Sequence, residues 1–147
     1  MLDKIKLLRD ETGLSVGDIK KALTETNGDT GKARELLASR GGDIAAKKAG
    51  RDLKAGLVDS YVHNNKLSGC MLELFCETDF VSRGEAFQSL AHDLALHITA
   101  MKPQNVEELM DQMFIKNPEQ TIRDLITSHI AKLGENIQVG RFELFQI

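Results

Sequence analysis

Apolar residues recur every three or four positions through the first part of this chain, then switch to alternation. In LDKIKLLRDE, Leu2, Ile5 and Leu8 fall on one face with Leu7 beside them. That spacing predicts an amphipathic helix, and Thr12-Gly13 supplies its stop. SVGDIKKALTET predicts a second helix, opened by Ser15 as N-cap with Asp18 in a weaker form of the capping box. Its apolar face is Val16, Ile19, Ala22 and Leu23, and Asn27-Gly28 ends it. DTGKARELLASR predicts a third, burying Ala33, Leu36 and Leu37, with Gly41-Gly42 as its close. DIAAKKAGRDLKAG then reads as a basic connecting helix, with Lys47, Arg51 and Lys54 on one face. The expected organisation is a helical module over 1–40, a linker helix over 41–54 and a second unit over 55–147.

From Gly56 the period is two. GLVDSYVH and LSGCMLELFCE, joined by Asn64-Asn65-Lys66, predict a β-hairpin. In the second strand Cys70, Leu72, Leu74 and Cys76 share one face; Met71, Glu73, Phe75 and Glu77 share the other. Ser82 and Glu85 have the spacing of a capping box, which starts a long helix at Arg83, with Val81 placed to staple onto Ala86. Its stripe is Phe87, Leu90, Ala91, Leu94, Ala95, Ile98 and Met101. NVEELMDQMFI predicts a short helix capped by Asn105. Asn117, with Pro118 at the first position and Gln120 at N3, predicts a further one that buries Ile122, Leu125, Ile126, Ile130 and Leu133. The tail NIQVGRFELFQI reads as a third strand whose apolar parity slips, predicting a β-bulge near Gly140-Arg141. The fold class is α+β: three helices, a linker helix, then a three-stranded antiparallel sheet with helices on one face.

Composition narrows the chemistry. A chain of 147 residues buries enough surface to fold without disulfides, and Cys70 and Cys76 read as reduced thiols in a cytoplasmic protein. Their Cys-x5-Cys spacing is not a redox motif, and both fall on the leucine face, as buried small hydrophobes do. A net charge of −3 with both signs mixed argues against a nucleic-acid surface. No apolar run approaches the ~20 residues of a membrane span. His92 and His97 diverge on their helix, so no metal set forms. No phosphate loop, nucleophile triad or dinucleotide fingerprint appears. The sequence offers no catalytic site, cofactor site or metal site, and a partner-binding protein is the better class.

The stretch ELFCETDFVSRGEAF, residues 73–87, sets Phe80 in the gap between a strand and a helix. Thr78, Asp79 and Phe80 form a short connection, the kind of rigid loop from which binding residues are presented. Spacing alone leaves two readings open: Phe80 faces a partner, or it folds back to plug its own core.

CETDFVSRGEAF closely resembles the signature of the elongation factor Ts family. LLRDETGLSVGDIKKALTETNGD resembles that family's opening module, itself similar to ubiquitin-associated domains. KKAGRDLKAGLV and IAKLGENIQVGRFE resemble two further family stretches in the same order. Longer members carry two copies of the core subdomain, so this chain resembles a short form with one. Val16 stands where Met is common, Gly84 where Asn is frequent, and Gly140 where a second Arg often precedes Phe. The resemblance implies a guanine-nucleotide exchange factor that is not an enzyme and that binds the GTPase elongation factor Tu. It implies that Thr78, Asp79, Phe80 and Val81 form the contact, with Phe80 wedged between helices of the GTPase domain, disturbing the partner's Mg²⁺ and phosphate site. It further implies docking of the N-terminal module through Arg9, Val16 and Lys20.

Two other classes compete: a ubiquitin-associated-like adaptor, which has no use for Phe80, and an RNA-binding protein using Lys47, Lys48, Arg51 and Lys54. Because both faces of the second strand carry apolar residues, a homodimer through the uncovered sheet face is also expected. The alternative is that residues 104–117 fold over that face with Val106, Leu109, Met113 and Phe114.

Overall fold

The computed structural model describes residues 1–147. Helix α1 (Leu2–Thr12) ends where Gly13 takes φ 66° and its N–H donates to the Arg9 carbonyl, a left-handed cap that costs glycine little. Helix α2 (Val16–Glu25) starts at Ser15, whose hydroxyl accepts from the Asp18 N–H at 3.1 Å and donates to the Asp18 carboxylate at 2.6 Å. Helix α3 (Thr30–Lys48) is capped by the Asp29 carboxylate. Ile5, Leu8, Ile19, Ala22, Leu23, Ala33 and Leu37 close between these helices as a small separate core.

The expected stop at Gly41-Gly42 is not made. Helix α3 runs unbroken to Lys48, and residues 49–54 follow as a turn, a bend and irregular chain, so there is no separate linker helix over 41–54. The reason is tertiary. Buried Gly41 faces a later helix, where a Cβ would stand 3.4 Å from the Ala131 methyl, so this part of α3 is held in packing instead of ending the helix. A mid-helix glycine costs about 1 kcal/mol relative to alanine, and packing of the helix face outweighs it. Arg51 and Lys54 lie beyond the helix, so the basic residues form no single helical stripe.

Strands β1 (Ala55–Val62) and β2 (Ser68–Cys76) pair antiparallel through a turn in which Lys66 takes φ 63°. A single helical turn, α4 (Asp79–Ser82), follows, and then the long α5 (Glu85–Met101). The Ser82–Glu85 capping box is not formed. Ser82 is buried at the end of α4 with its hydroxyl donating to the Asp79 carbonyl at 3.1 Å, and Gly84 caps α5 without a side-chain bond. Helix α6 (Val106–Asp111) opens on Asn105, which accepts from the Glu108 N–H at 2.8 Å.

Residues expected to start the last helix instead form strand β4 (Asn117–Thr121), paired back on β3 (Met113–Phe114). Helix α7 (Ile122–Leu133) begins one turn later than expected, where Thr121 and Asp124 make a complete capping box. Two caps compete here, and the Thr121 cap satisfies both reciprocal bonds. Strand β5 (Gln138–Gln146) completes a sheet of order β1-β2-β5. Leu72 pairs with Phe142 but Leu74 with Val139, so the extra residue falls at Gly140-Arg141, where the bulge was expected. A side chain at Gly140 would collide with the Phe75 ring.

The main core lies between one sheet face and the helices. Cys70, Leu72, Leu74 and Cys76 meet Phe87, Leu90, Leu94 and Ile98 of α5, and Ile122, Leu125 and Ile126 of α7. Leu109 and Phe114 enter this same core, so residues 104–117 do not cover the opposite sheet face. His97 is buried; its Nε2 lies 2.9 Å from Gln112 Oε1, and its Nδ1 accepts from the Ile115 N–H at 3.2 Å.

Candidate partner-binding site

The β1–β2 ladder ends at Cys76, and two residues later the chain turns into α4. Thr78 is the N-cap, its hydroxyl accepting from the Val81 N–H at 3.4 Å. Neighbours on a helical turn point about 100° apart, and α4 uses that divergence. Val81 and Ser82 turn inward and are buried, whereas Asp79 and Phe80 face solvent. Phe80 is 89% exposed. It is not a plug for its own core. Val81 belongs to that core, so it anchors the turn from within while its neighbours stay outside.

The turn is held from a distant part of the chain. The Glu135 carboxylate accepts from the Glu77 N–H at 3.1 Å, the Thr78 N–H at 3.0 Å and the Thr78 hydroxyl at 2.6 Å. The Cys76 thiol donates to the Thr78 carbonyl at 3.3 Å. Burial, with the Glu135 charge nearby, pushes that thiol's pKa up; burial alone raises Cys70 to about 11. Neither sulfur is poised as a nucleophile. No group of three His, Cys, Asp or Glu side chains is placed to hold a metal ion, and no helix is long and apolar enough to cross a membrane.

Sequence reasoning missed Glu135 and Asn136 as functional candidates. The available signal was Gly134, which takes φ 76° as the C-cap of α7 and directs the chain back toward the turn. Arg9, Val16 and Lys20 are all exposed on α1 and α2, helices that pack on one another and on α3. Val16 and Lys20, four apart on α2, share a helical face. They form a surface separate in sequence and element from the α4 turn.

Comparison with known proteins settles the family. The family model "Elongation factor TS" matches residues 77–147. Elongation factor Ts of Thermodesulfovibrio yellowstonii is 38% identical over 187 aligned positions, covering 97% of this chain and 94% of that protein. This chain belongs to the elongation factor Ts family. Elongation factor Ts of Carboxydothermus hydrogenoformans is 37% identical, covering 97% of this chain and 87% of the relative. Elongation factor Ts of Clostridium tetani is 43% identical over 143 residues, which is 97% of this chain but 47% of the relative. The chain therefore spans most of the shorter members and about half of the longer one. An alignment of 187 positions exceeds the 147 residues here, so the Thermodesulfovibrio protein carries residues that this chain lacks. Membership places the protein among translation elongation factors, in protein biosynthesis.

Proposed function

We propose that this elongation factor Ts family member binds elongation factor Tu and accelerates GDP release by inserting Phe80 beside the partner's Mg²⁺ and phosphate site. The observation that carries this reading is an aromatic ring 89% exposed on a capped, anchored turn. An exposed aromatic contributes little to its own fold and much to a complementary pocket. Asp79 contacts the same region, while Thr78 and Val81 hold the turn. Arg9, Val16 and Lys20 make a second, weaker contact from the helical unit 1–40, carried ahead of the α+β unit 55–147. The action is non-catalytic and needs no cofactor. It rests on reciprocal linkage, because a factor that weakens nucleotide binding is itself weakened by nucleotide.

The test is the rate at which labelled GDP leaves elongation factor Tu with and without this protein. Acceleration by the unaltered chain, lost in Phe80→Ala with the melting temperature unchanged, is the expected result. A large drop in melting temperature for Phe80→Ala, or no acceleration by the unaltered chain, rejects it.

The outer sheet face favours a second element of the reading, self-association. Val58, Val62, Met71 and Phe145 are all more than half exposed there, and apolar surface of this kind marks an interface once the patch exceeds a few hundred Å². A homodimer built on this face sediments as twice the 16.3 kDa chain at micromolar concentration; a species of single-chain mass at every concentration refutes it.

A further inference from the structure

The Phe80 turn is fastened by side chains that lie almost sixty residues further along the chain, and we propose that Glu135 is a positioning residue for nucleotide exchange, with Asn136 bracing it. The proposal rests on the exchange reading above and deepens it. The Glu77 and Thr78 N–H groups lie beyond the last rung of both strand ladders, at Cys76 toward β1 and Phe75 toward β5. The Glu135 carboxylate takes both of them and the Thr78 hydroxyl as well. Bonds to an ionised acceptor are stronger than neutral ones, and these three converge on the two residues that set the direction of α4. With the backbone fixed there, the Phe80 ring leaves the surface at one angle.

Asn136 supplies the brace. It is 2% exposed. Its amide nitrogen donates to the Ala49 carbonyl at 3.3 Å and the Arg51 carbonyl at 3.0 Å, and its backbone N–H donates to the Glu77 carboxylate at 2.7 Å. The Arg51 guanidinium lies 3.7 Å from the same Glu77 carboxylate. The turn that presents Phe80 and the connector from the N-terminal helices are thus bound to one short segment after Gly134. A wedge acts only when its angle is held, because a displacement of about 1 Å can cost on the order of 100-fold in rate.

The experiment measures GDP release from elongation factor Tu across a range of concentrations of this protein. Glu135→Ala is expected to lower the maximal rate by about 10-fold or more while moving the half-saturating concentration by less than about 3-fold. Glu135→Gln retains a carbonyl oxygen for the two backbone donors and is expected to restore most of the rate. Phe80→Ala, severe in the unaltered protein, is expected to add little to Glu135→Ala, since residues acting as one unit are non-additive. If Glu135→Ala does not fold, Thr78→Val, which removes the hydroxyl that both donates to Glu135 and caps α4, carries the same expectation. A maximal rate unchanged by these variants, or losses that simply multiply with Phe80→Ala, overturns the positioning role alone. An unaltered chain that releases no GDP overturns both readings.

Discussion

The two cores of this molecule present their surfaces in different ways. The N-terminal helices close on seven buried residues and offer Arg9, Val16 and Lys20 from open helix faces. The α+β unit closes on eighteen and offers one aromatic ring from a turn capped by Thr78 and tied down by Glu135. Under the proposed function the first surface recruits, which tolerates give in the contact, and the second displaces a bound group, which does not. The larger core, and a turn tied by three hydrogen bonds to one carboxylate, lie where the proposed role depends on the angle of a single side chain.

Three measurements break or sharpen that contrast. The largest effect is expected from Phe87→Ala, which empties a fully buried site under the sheet and is expected to cost about 3–5 kcal/mol. Leu23→Ala in the small core removes comparable chemistry, about 2–5 kcal/mol, from a unit with less to lose. Hydrogen exchange separates them: Leu23→Ala is expected to open the amides of α1 and α2 while those of α5 stay protected. Simultaneous loss of protection in both regions would show one cooperative unit instead of two.

The next effect is pH-dependent and belongs to the larger core. Burial lowers the pKa of His97, and the Ile115 N–H bond to Nδ1 requires that nitrogen to be bare. The unfolded chain therefore takes up its proton first, near 6.5. Stability is full above that value, declines as pH falls from 6.5 through the folded pKa, and then levels. His129, also lowered chiefly by burial, acts in the same direction. Melting temperature is expected to fall between pH 7 and 5, with a shallower slope in His97→Gln. A flat profile would remove His97 from the account.

The smallest effect is expected from Lys20→Ala, on an exposed helix position. Surface substitutions of this kind shift stability by within about 0.5 kcal/mol, so the readout is affinity for elongation factor Tu. A loss of a few-fold fits a second contact; a loss as large as that of Phe80→Ala would invert the comparison between the two regions.

Much of the architecture could be read from local chemistry. Gly13, Ser15 and Asn105 mark helix ends through bonds made within a few residues, and the parity slip near Gly140-Arg141 places the bulge. The misreadings share a cause, which is that tertiary contacts chose between local options. Gly41 looks like a stop until Ala131 is seen against it. Ser82 and Asn117 have the form of N-caps, but Ser82 is buried at the end of α4 and Gly84 caps α5, while Thr121 caps α7 and puts Ile122 into the core. At the site, TDFV is legible as a short connection, and exposure then separates its members: Asp79 and Phe80 outside, Val81 within. Glu135 was illegible because its partners are 57 and 58 residues away and only folding brings them together.

That separation has a consequence for how the protein is made. A ribosome that has just added Thr78 must add 57 more residues before Glu135 exists, roughly 3–11 seconds at synthesis rates of about 5–20 residues per second. Until then the turn emerges from the exit tunnel with its aromatic ring but without its fastening. The small core that runs from Ile5 to Leu37 is complete in sequence long before then and has time to close first, while the second half of α3 still waits for α7. Under the proposed function, a nascent chain displays its recruiting surface before its wedge is fastened, and the turn is tied down only as translation nears the last strand.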